Sequence, residues 1–196
     1  MEKCFHRIRA ISWKLLRRDV HIQQEGDEIM ETKKILRGKR VLIVDDEKDV
    51  LNLLIELLDM CQIDTASSFE KARQLLETGQ YDIAVLDIMG VKGFELLDIA
   101  NKNGIPALML TAHALTKDAL KESVERGASY FAPKEEIGRI DVFIADVLEA
   151  LKKKKNPWVR WSERLASFYD KKFTGTNWRK QEQEFWDKTL KEFKGL

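Results

Sequence analysis

Cysteine, histidine and long apolar runs are scarce in this sequence, and each scarcity removes a class of function. Its 196 residues hold two cysteines, Cys4 and Cys61. These supply no disulfide framework and no metal-ligand spacing. Cys61 follows the apolar Leu57-Leu58-Asp59-Met60 and is expected to be a buried thiol. The histidines, His6, His21 and His113, are scattered and form no ligand set. No apolar run approaches the roughly 20 residues that span a bilayer. Basic residues near the N-terminus are not followed by an uninterrupted apolar stretch, so no secretory signal is read. The expected compartment is the cytoplasm.

What is present is a core-forming composition with an uneven charge distribution. Apolar residues make up 44% and charged residues 34%, with a net charge of +1. Residues 39–150 carry 12 Lys/Arg against 21 Asp/Glu, a net −9. Residues 151–196 carry 13 against 6, a net +7, and residues 1–38 carry 9 against 6, a net +3. An acidic body thus has a basic tail and a weakly basic head. Such asymmetry marks a segment with its own partner or one docked on the body.

Residues 1–29 place Phe5, Ile8, Ile11, Trp13, Leu15 and Leu16 among basic residues. They read either as a basic amphipathic helix or as a disordered leader with Met30 a second start. Gln23–Glu28 reads as a linker. From Lys39 the pattern becomes regular. Short apolar runs at Arg40–Val44, Ile63–Ala66, Asp82–Leu86, Pro106–Leu110 and Ser129–Ala132 alternate with helical patterns, which is the reading for buried parallel strands. Val50, Leu53, Leu54, Leu57 and Leu58 mark the inward face of the first helix. Ser67 or Ser68 caps the next, which Gly79 ends, and Thr116 caps the fourth. Ile140, Ile144, Val147, Leu148 and Leu151 line the last, over about Ile137–Lys153. Five βα units imply right-handed crossovers and a doubly wound α/β fold.

Polar residues stand where these runs end: Asp45 and Asp46, Asp87, Thr111 and Lys134. Ligands of open parallel sheets bind outside the carboxyl ends of the strands. Adjacent carboxylates are costly to ionise together in a confined site. A hard divalent cation resolves that conflict, and Mg²⁺ takes one or two carboxylates plus waters or phosphate oxygens. One carboxylate is then left as a nucleophile towards a phosphoryl donor. A lysine and a hydroxyl nearby would bind the transferred oxygens. Taken singly, each of these residues reads as well as a helix cap, a turn residue or a solvated side chain.

Together they carry a resemblance. Val-Leu-Ile-Val-Asp45-Asp46-Glu47, Ala-Val-Leu-Asp87-Ile-Met, Leu-Met-Leu-Thr111-Ala and Tyr-Phe131-Ala-Pro-Lys134 occur in order, with gaps of 41, 24 and 23 residues from Asp46 onward. Residues 39–153 resemble the receiver domain of bacterial two-component response regulators. The resemblance implies a five-stranded parallel, flavodoxin-like fold and a signalling phospho-acceptor rather than an enzyme. It implies Asp87 as acceptor, and Asp45, Asp46, Asp87 and the backbone carbonyl of Met89 as Mg²⁺ ligands. Thr111 and Lys134 would contact the phosphoryl group, and Phe131 would be the aromatic switch. The implied partner is a sensor histidine kinase or a phosphotransfer protein. Two departures stand out. The loop from Asp87 to Gly93 is shorter than the family commonly carries and lacks its proline. Pro133 precedes Lys134, where the family often has proline after the lysine. His113, two positions past Thr111, borders the expected site.

The tail 154–196 resembles no output domain. Trp158, Trp161, Leu165 and Phe168 fall at helical spacing, as do Trp178, Phe185, Trp186, Leu190 and Phe193. Thr174–Asn177 separates the two sets, and Thr176 or Asn177 can cap the second. The expectation is a helical hairpin, too small to bury its aromatics alone. Packing on the receiver or on a second copy in a homodimer is favoured over nucleic acid. The expected division is therefore 1–38, 39–153 and 154–196. An aspartyl-phosphate-type phosphatase is the alternative. It needs an acid–base aspartate two residues past the nucleophile, where this chain has Met89 after Asp87 and Glu47 after Asp45.

Overall fold

Alternating short apolar runs and amphipathic segments place five strands edge to edge with helices on both faces. A computed structural model describes residues 26–112, 116–173 and 182–191. Residues 26–36 form helix α1, followed by Gly38 at φ 75°. The linker expected over Gln23–Glu28 is therefore wrong for residues 26–28. No helix breaker separates Asp27 from Leu36, and Glu31 pairs with Lys34 one turn on. Residues 1–25, with Cys4, His6 and His21, lie outside the described residues, as do His113, Thr174, Thr176, Asn177, Trp178 and Phe193.

From Leu36 onward the chain belongs to one compact unit. Its elements are β1 (Arg40–Val44), α2 (Lys48–Leu57), β2 (Gln62–Ala66), α3 (Phe69–Thr78), β3 (Ile83–Asp87), α4 (Gly93–Lys102), β4 (Ala107–Thr111), α5 (Lys117–Glu125) and β5 (Tyr130–Pro133). A 3₁₀ turn (Lys134–Arg139) leads into α6 (Ile140–Lys152), then α7 (Pro157–Lys172) and α8 (Gln183–Lys191). The sheet is parallel, in the order β2-β1-β3-β4-β5. β1, β3, β4 and β5 are buried almost throughout, as expected for strands covered on both faces.

β3, β4 and β5 each sit one residue later than the apolar runs suggest. Asp87 and Thr111 still pair, with Leu110 and Pro133, so polar residues close two of these strands. In α2 the inward stripe is Leu51, Leu54 and Leu58, while Leu53 is exposed. Ser68 caps α3 and Thr116 caps α5 through their hydroxyls. Gly79 follows α3 as its C-cap. The single long helix expected at 137–153 is split, because Lys134–Arg139 takes the tighter 3₁₀ form. In α6, Phe143, Ala145, Asp146 and Ala150 are buried as well as the expected Ile140, Ile144 and Val147. Phe143 stacks on Tyr130 of β5, while α7 packs along a second side of α6 and pairs its Arg164 with Asp146. Cys61 is half-buried, donates to the Leu36 carbonyl, and burial pushes its thiol up to about 11.

The order reverses at β1, which sends the chain to β2 on one side and β3 on the other. That switch point opens a crevice above the carboxyl ends of β1 and β3.

Candidate functional site

The crevice is lined by Asp46, Glu47, Asp87, Met89, Gly90, Ala112 and Lys134, and encloses about 200 Å³. Asp45 follows β1 and is buried, while Asp46 beside it is exposed at the rim. Asp87, the last residue of β3, is 4% exposed. Thr111 ends β4 fully buried, and Lys134 follows β5.

Lys134 ties the site together. Its Nζ lies 2.8 Å from Asp45 Oδ2, 2.8 Å from Glu47 Oε1 and 3.1 Å from Asp87 Oδ1. Of these, the Glu47 contact has hydrogen-bond geometry, and the two aspartates are ion pairs. Asp45 Oδ2 is accordingly buried without an aligned hydrogen bond, while its Oδ1 accepts from the Glu47 amide at 3.0 Å. Burial pushes the Asp45 carboxyl above its ordinary value, and Lys134 and the Glu47 amide only partly oppose this. Burial alone would lower the Lys134 ammonium, but its close contacts with the carboxylates of Asp45, Glu47 and Asp87 outweigh it and hold the group above its ordinary value.

The shortened loop wraps the Asp87 carboxylate. Asp87 Oδ2 accepts from the amides of Met89 at 3.0 Å and Gly90 at 2.9 Å. Lys92 adopts a left-handed φ of 54° to close the turn, and the Gly93 amide bonds back to Ile88 at 3.0 Å. A Cβ at Gly93 would collide with the Asp87 carbonyl oxygen, and one at Gly90 with the Asp46 carboxylate. Gly93 is therefore required by close approach of backbone, whereas at Gly90 only the exposed Asp46 side chain would have to move. The Pro133-Lys134 turn delivers Lys134 to the crevice. Pro133 ends β5 at φ −77° and ψ 142°, and the 3₁₀ turn starts at once.

Asp45, Asp46, Asp87, Thr111 and Lys134 thus gather at one edge. Phe131 lies three residues before Lys134, fully buried, with its ring 6.1 Å from Tyr169 of α7. Glu47 was not among the expected site residues. Its signal was adjacency to the Asp45-Asp46 pair at the start of α2. The donor set suits a hard cation, which would take Asp45 Oδ2 in place of the Lys134 ammonium. Among the described residues, however, no three acidic side chains close on a single point, because Lys134 stands between Asp45 and Asp87.

The family model for the response regulator receiver domain matches residues 41–144. The chain belongs to this family. Among curated relatives, the heme response regulator HssR of Staphylococcus haemolyticus is 40% identical over 88 residues, 42% of this chain and 38% of that protein. The two-component response regulator ARR12 of Arabidopsis thaliana is 35% identical over 98 residues, 46% of this chain and 16% of that protein. The chain spans under half the length of these relatives. The CheY-like receiver domain protein of Methanospirillum hungatei is 27% identical with a TM-score of 0.50, covering 60% of this chain and 93% of that one. The receiver match stops inside α6, so α7 and α8 lie beyond it.

Proposed function

We propose that Asp87 is the phospho-acceptor of a signalling receiver, charged by a histidine kinase or phosphotransfer protein and acting through protein contacts. We take residues 39–153 as the receiver, 1–38 as a leader and 154–196 as an extension. The observation that carries this reading is the setting of Asp87. It lies at the switch-point edge, with one oxygen against Lys134 and the other on two amides.

Receiver domains generally use Mg²⁺ for phosphorylation. Here Asp45, Asp46, Asp87 and the Met89 carbonyl would hold it, with Lys134 drawn aside. When bound, the ion supplies positive charge between the carboxylates and the incoming phosphoryl group. A carboxylate oxygen of Asp87 forms the new O–P bond while the donor's N–P or O–P bond breaks, and the leaving atom keeps the electron pair. Lys134 exchanges carboxylate partners for the transferred oxygens, and the Thr111 hydroxyl donates to one of them. The amides of Met89 and Gly90 hold the acceptor carboxylate in place meanwhile. Phe131 is the switch aromatic in this reading.

The test is intact mass after incubation with acetyl phosphate and Mg²⁺. Wild type gains one phosphoryl group, Asp87→Asn gains none, and chelation of Mg²⁺ suppresses the gain. An unmodified wild type, beside a control receiver that is labelled, contradicts the reading.

A further inference from the structure

The extension builds a surface at the end of the sheet far from Asp87. α7 lies on β5: Trp158 Nε1 donates to the Ala128 carbonyl at 3.0 Å, and Trp161 Nε1 to the Phe131 carbonyl at 2.7 Å. The Tyr169 ring sits 6.1 Å from Phe131, and Trp161 stacks on Trp186 of α8 at 5.2 Å. Ala128 precedes β5, so the start of α7 stands at the amino ends of the strands, opposite the crevice. Asn156 ties neighbouring chain ends together there. Its side-chain oxygen caps α7 by accepting from the Trp158 amide at 3.0 Å. Its Nδ2 donates to the Thr189 carbonyl of α8 at 2.5 Å, and α6 ends at Lys152 just before it.

Two features meet at this corner, and the first is charge. α6 runs out into Lys152-Lys153-Lys154-Lys155, all exposed, and α8 brings exposed Lys188 and Lys191. Lys153 pairs with Glu149 at 2.8 Å, while Lys152, Lys154, Lys155, Lys188 and Lys191 make no ion pair among the described residues. The field is positive enough to hold the Glu149 carboxyl below its ordinary value, through Lys153 first, with Arg160 and Lys155 adding to it.

The second feature is an open groove of about 620 Å³ between residues 127–129 and α8. Val124, Pro157, Trp158 and Phe185 line it with apolar surface, and the ammonium-bearing Lys188 lines it as well. Of the other charged residues of its lining, Glu125 is acidic, and Arg126 is already paired with Asp98 and Glu122. An apolar groove beside unpaired ammonium groups fits an anionic partner that also buries an apolar side chain. The rings decide which polyanion that is. Trp158 is buried with its indole nitrogen already bonded, and half-buried Phe185 has the Lys121 ammonium 5.2 Å from its ring centre. Neither ring lies open as a platform on which a nucleic-acid base stacks.

We propose that this corner is a docking surface for an acidic segment of a partner protein. Its carboxylates lie on Lys155, Lys188 and their neighbours, and an apolar side chain enters the groove. Lysine ammoniums are compact point charges on flexible stems, so they take carboxylates without demanding one geometry. These contacts are exposed, so they steer the encounter and are screened by salt, while the apolar insert is not. The lysines and both helices lie past residue 144, where the receiver match ends, so the charge of this surface comes from the extension. The groove and the crevice stand at opposite ends of the strands. A partner held here leaves the crevice open, and the proposal does not draw on the reading of Asp87.

The experiment is fluorescence anisotropy on the full chain at about 50 mM NaCl, where exposed charges are weakly screened. The probes are two short fluorescein-labelled peptides, one all glutamate and one with two central leucines among glutamates. The leucine-bearing peptide is expected to bind about tenfold more tightly, from the apolar surface it buries. Reversing two exposed charges, in the double variant Lys155→Glu and Lys188→Glu, is expected to weaken both peptides about tenfold. Thr189→Trp, at a half-buried position of the groove lining, is expected to weaken the leucine-bearing peptide alone. The comparison of the two peptides needs no variant, so it stands even where Thr189→Trp fails to fold. Equal binding of the two peptides overturns the groove as a docking site, as does no binding of either. A double variant that binds as wild type does overturns the role of the lysines. A single-stranded oligonucleotide or phosphatidylserine vesicles binding more tightly than the leucine-bearing peptide overturn the choice of partner.

Discussion

At the scale of single residues, the site is an electrostatic compromise around one ammonium. Asp45 is buried, and its raised carboxyl means that the ionised form is a burden on the fold. The sign follows: a carboxylate raised in the folded state destabilises above that raised value, and the burden vanishes as pH falls towards 3.8. Asp45→Asn is therefore expected to raise the thermal midpoint at pH 7, by about 2–4 °C for each kcal/mol gained. Differential scanning calorimetry from pH 7 to pH 4 should show that advantage shrink. The same variant should weaken the thermal shift given by Mg²⁺. Lys134 acts in the other sense. Its raised ammonium contributes stability that is fully present below the ordinary value of 10.5 and is lost only at higher pH. The four motif positions were legible because parallel strands write apolar runs that stop at a polar residue. The Glu47 contact was not legible, since its reach to Lys134 depends on how α2 leaves β1.

Single elements show where local chemistry is tight and where it is permissive. The loop after Asp87 closes because Gly93 brings its backbone against the Asp87 carbonyl. Gly93→Ala is expected to cost about 1–3 kcal/mol, as overpacking against backbone does. Gly138→Ala, where a Cβ meets nothing within 4 Å, should leave urea unfolding unchanged. Trp158→Phe removes the donor to the buried Ala128 carbonyl and should cost about 1–3 kcal/mol in the same measurement. Helix identity and caps were readable from Ser68, Thr116 and the apolar periods. Faces were less so. Leu51 rather than Leu53 points inward from α2, and α7 buries Tyr169 while Phe168 stays half-buried. Periodicity alone marks a stripe to within one position. The choice between neighbours is made by the surface the helix meets.

For the molecule as a whole, the basic tail and acidic body are matched by two particular pairs. Arg164 grips Asp146 of α6 with two nitrogens and Lys172 meets Glu135, while Lys121 of α5 meets Glu182 just before α8 in the opposite sense. The expected packing of the extension on the receiver is what the structure shows, with β5 as its seat. Which edge it would choose was invisible in composition, because charge balance names no strand. Removing residues 156–196 strips β5 of Trp158, Trp161 and Tyr169. The truncated chain is expected to self-associate at the exposed edge strand, as read by sedimentation velocity. The most direct measurement of the phospho-acceptor itself is chemical. Borohydride reduces an aspartyl phosphate to homoserine, and peptide mass spectrometry then locates it after treatment with acetyl phosphate and Mg²⁺. Homoserine at position 87 and at no other aspartate is the predicted result. Homoserine at Asp45 or Asp46, or none at all, contradicts it.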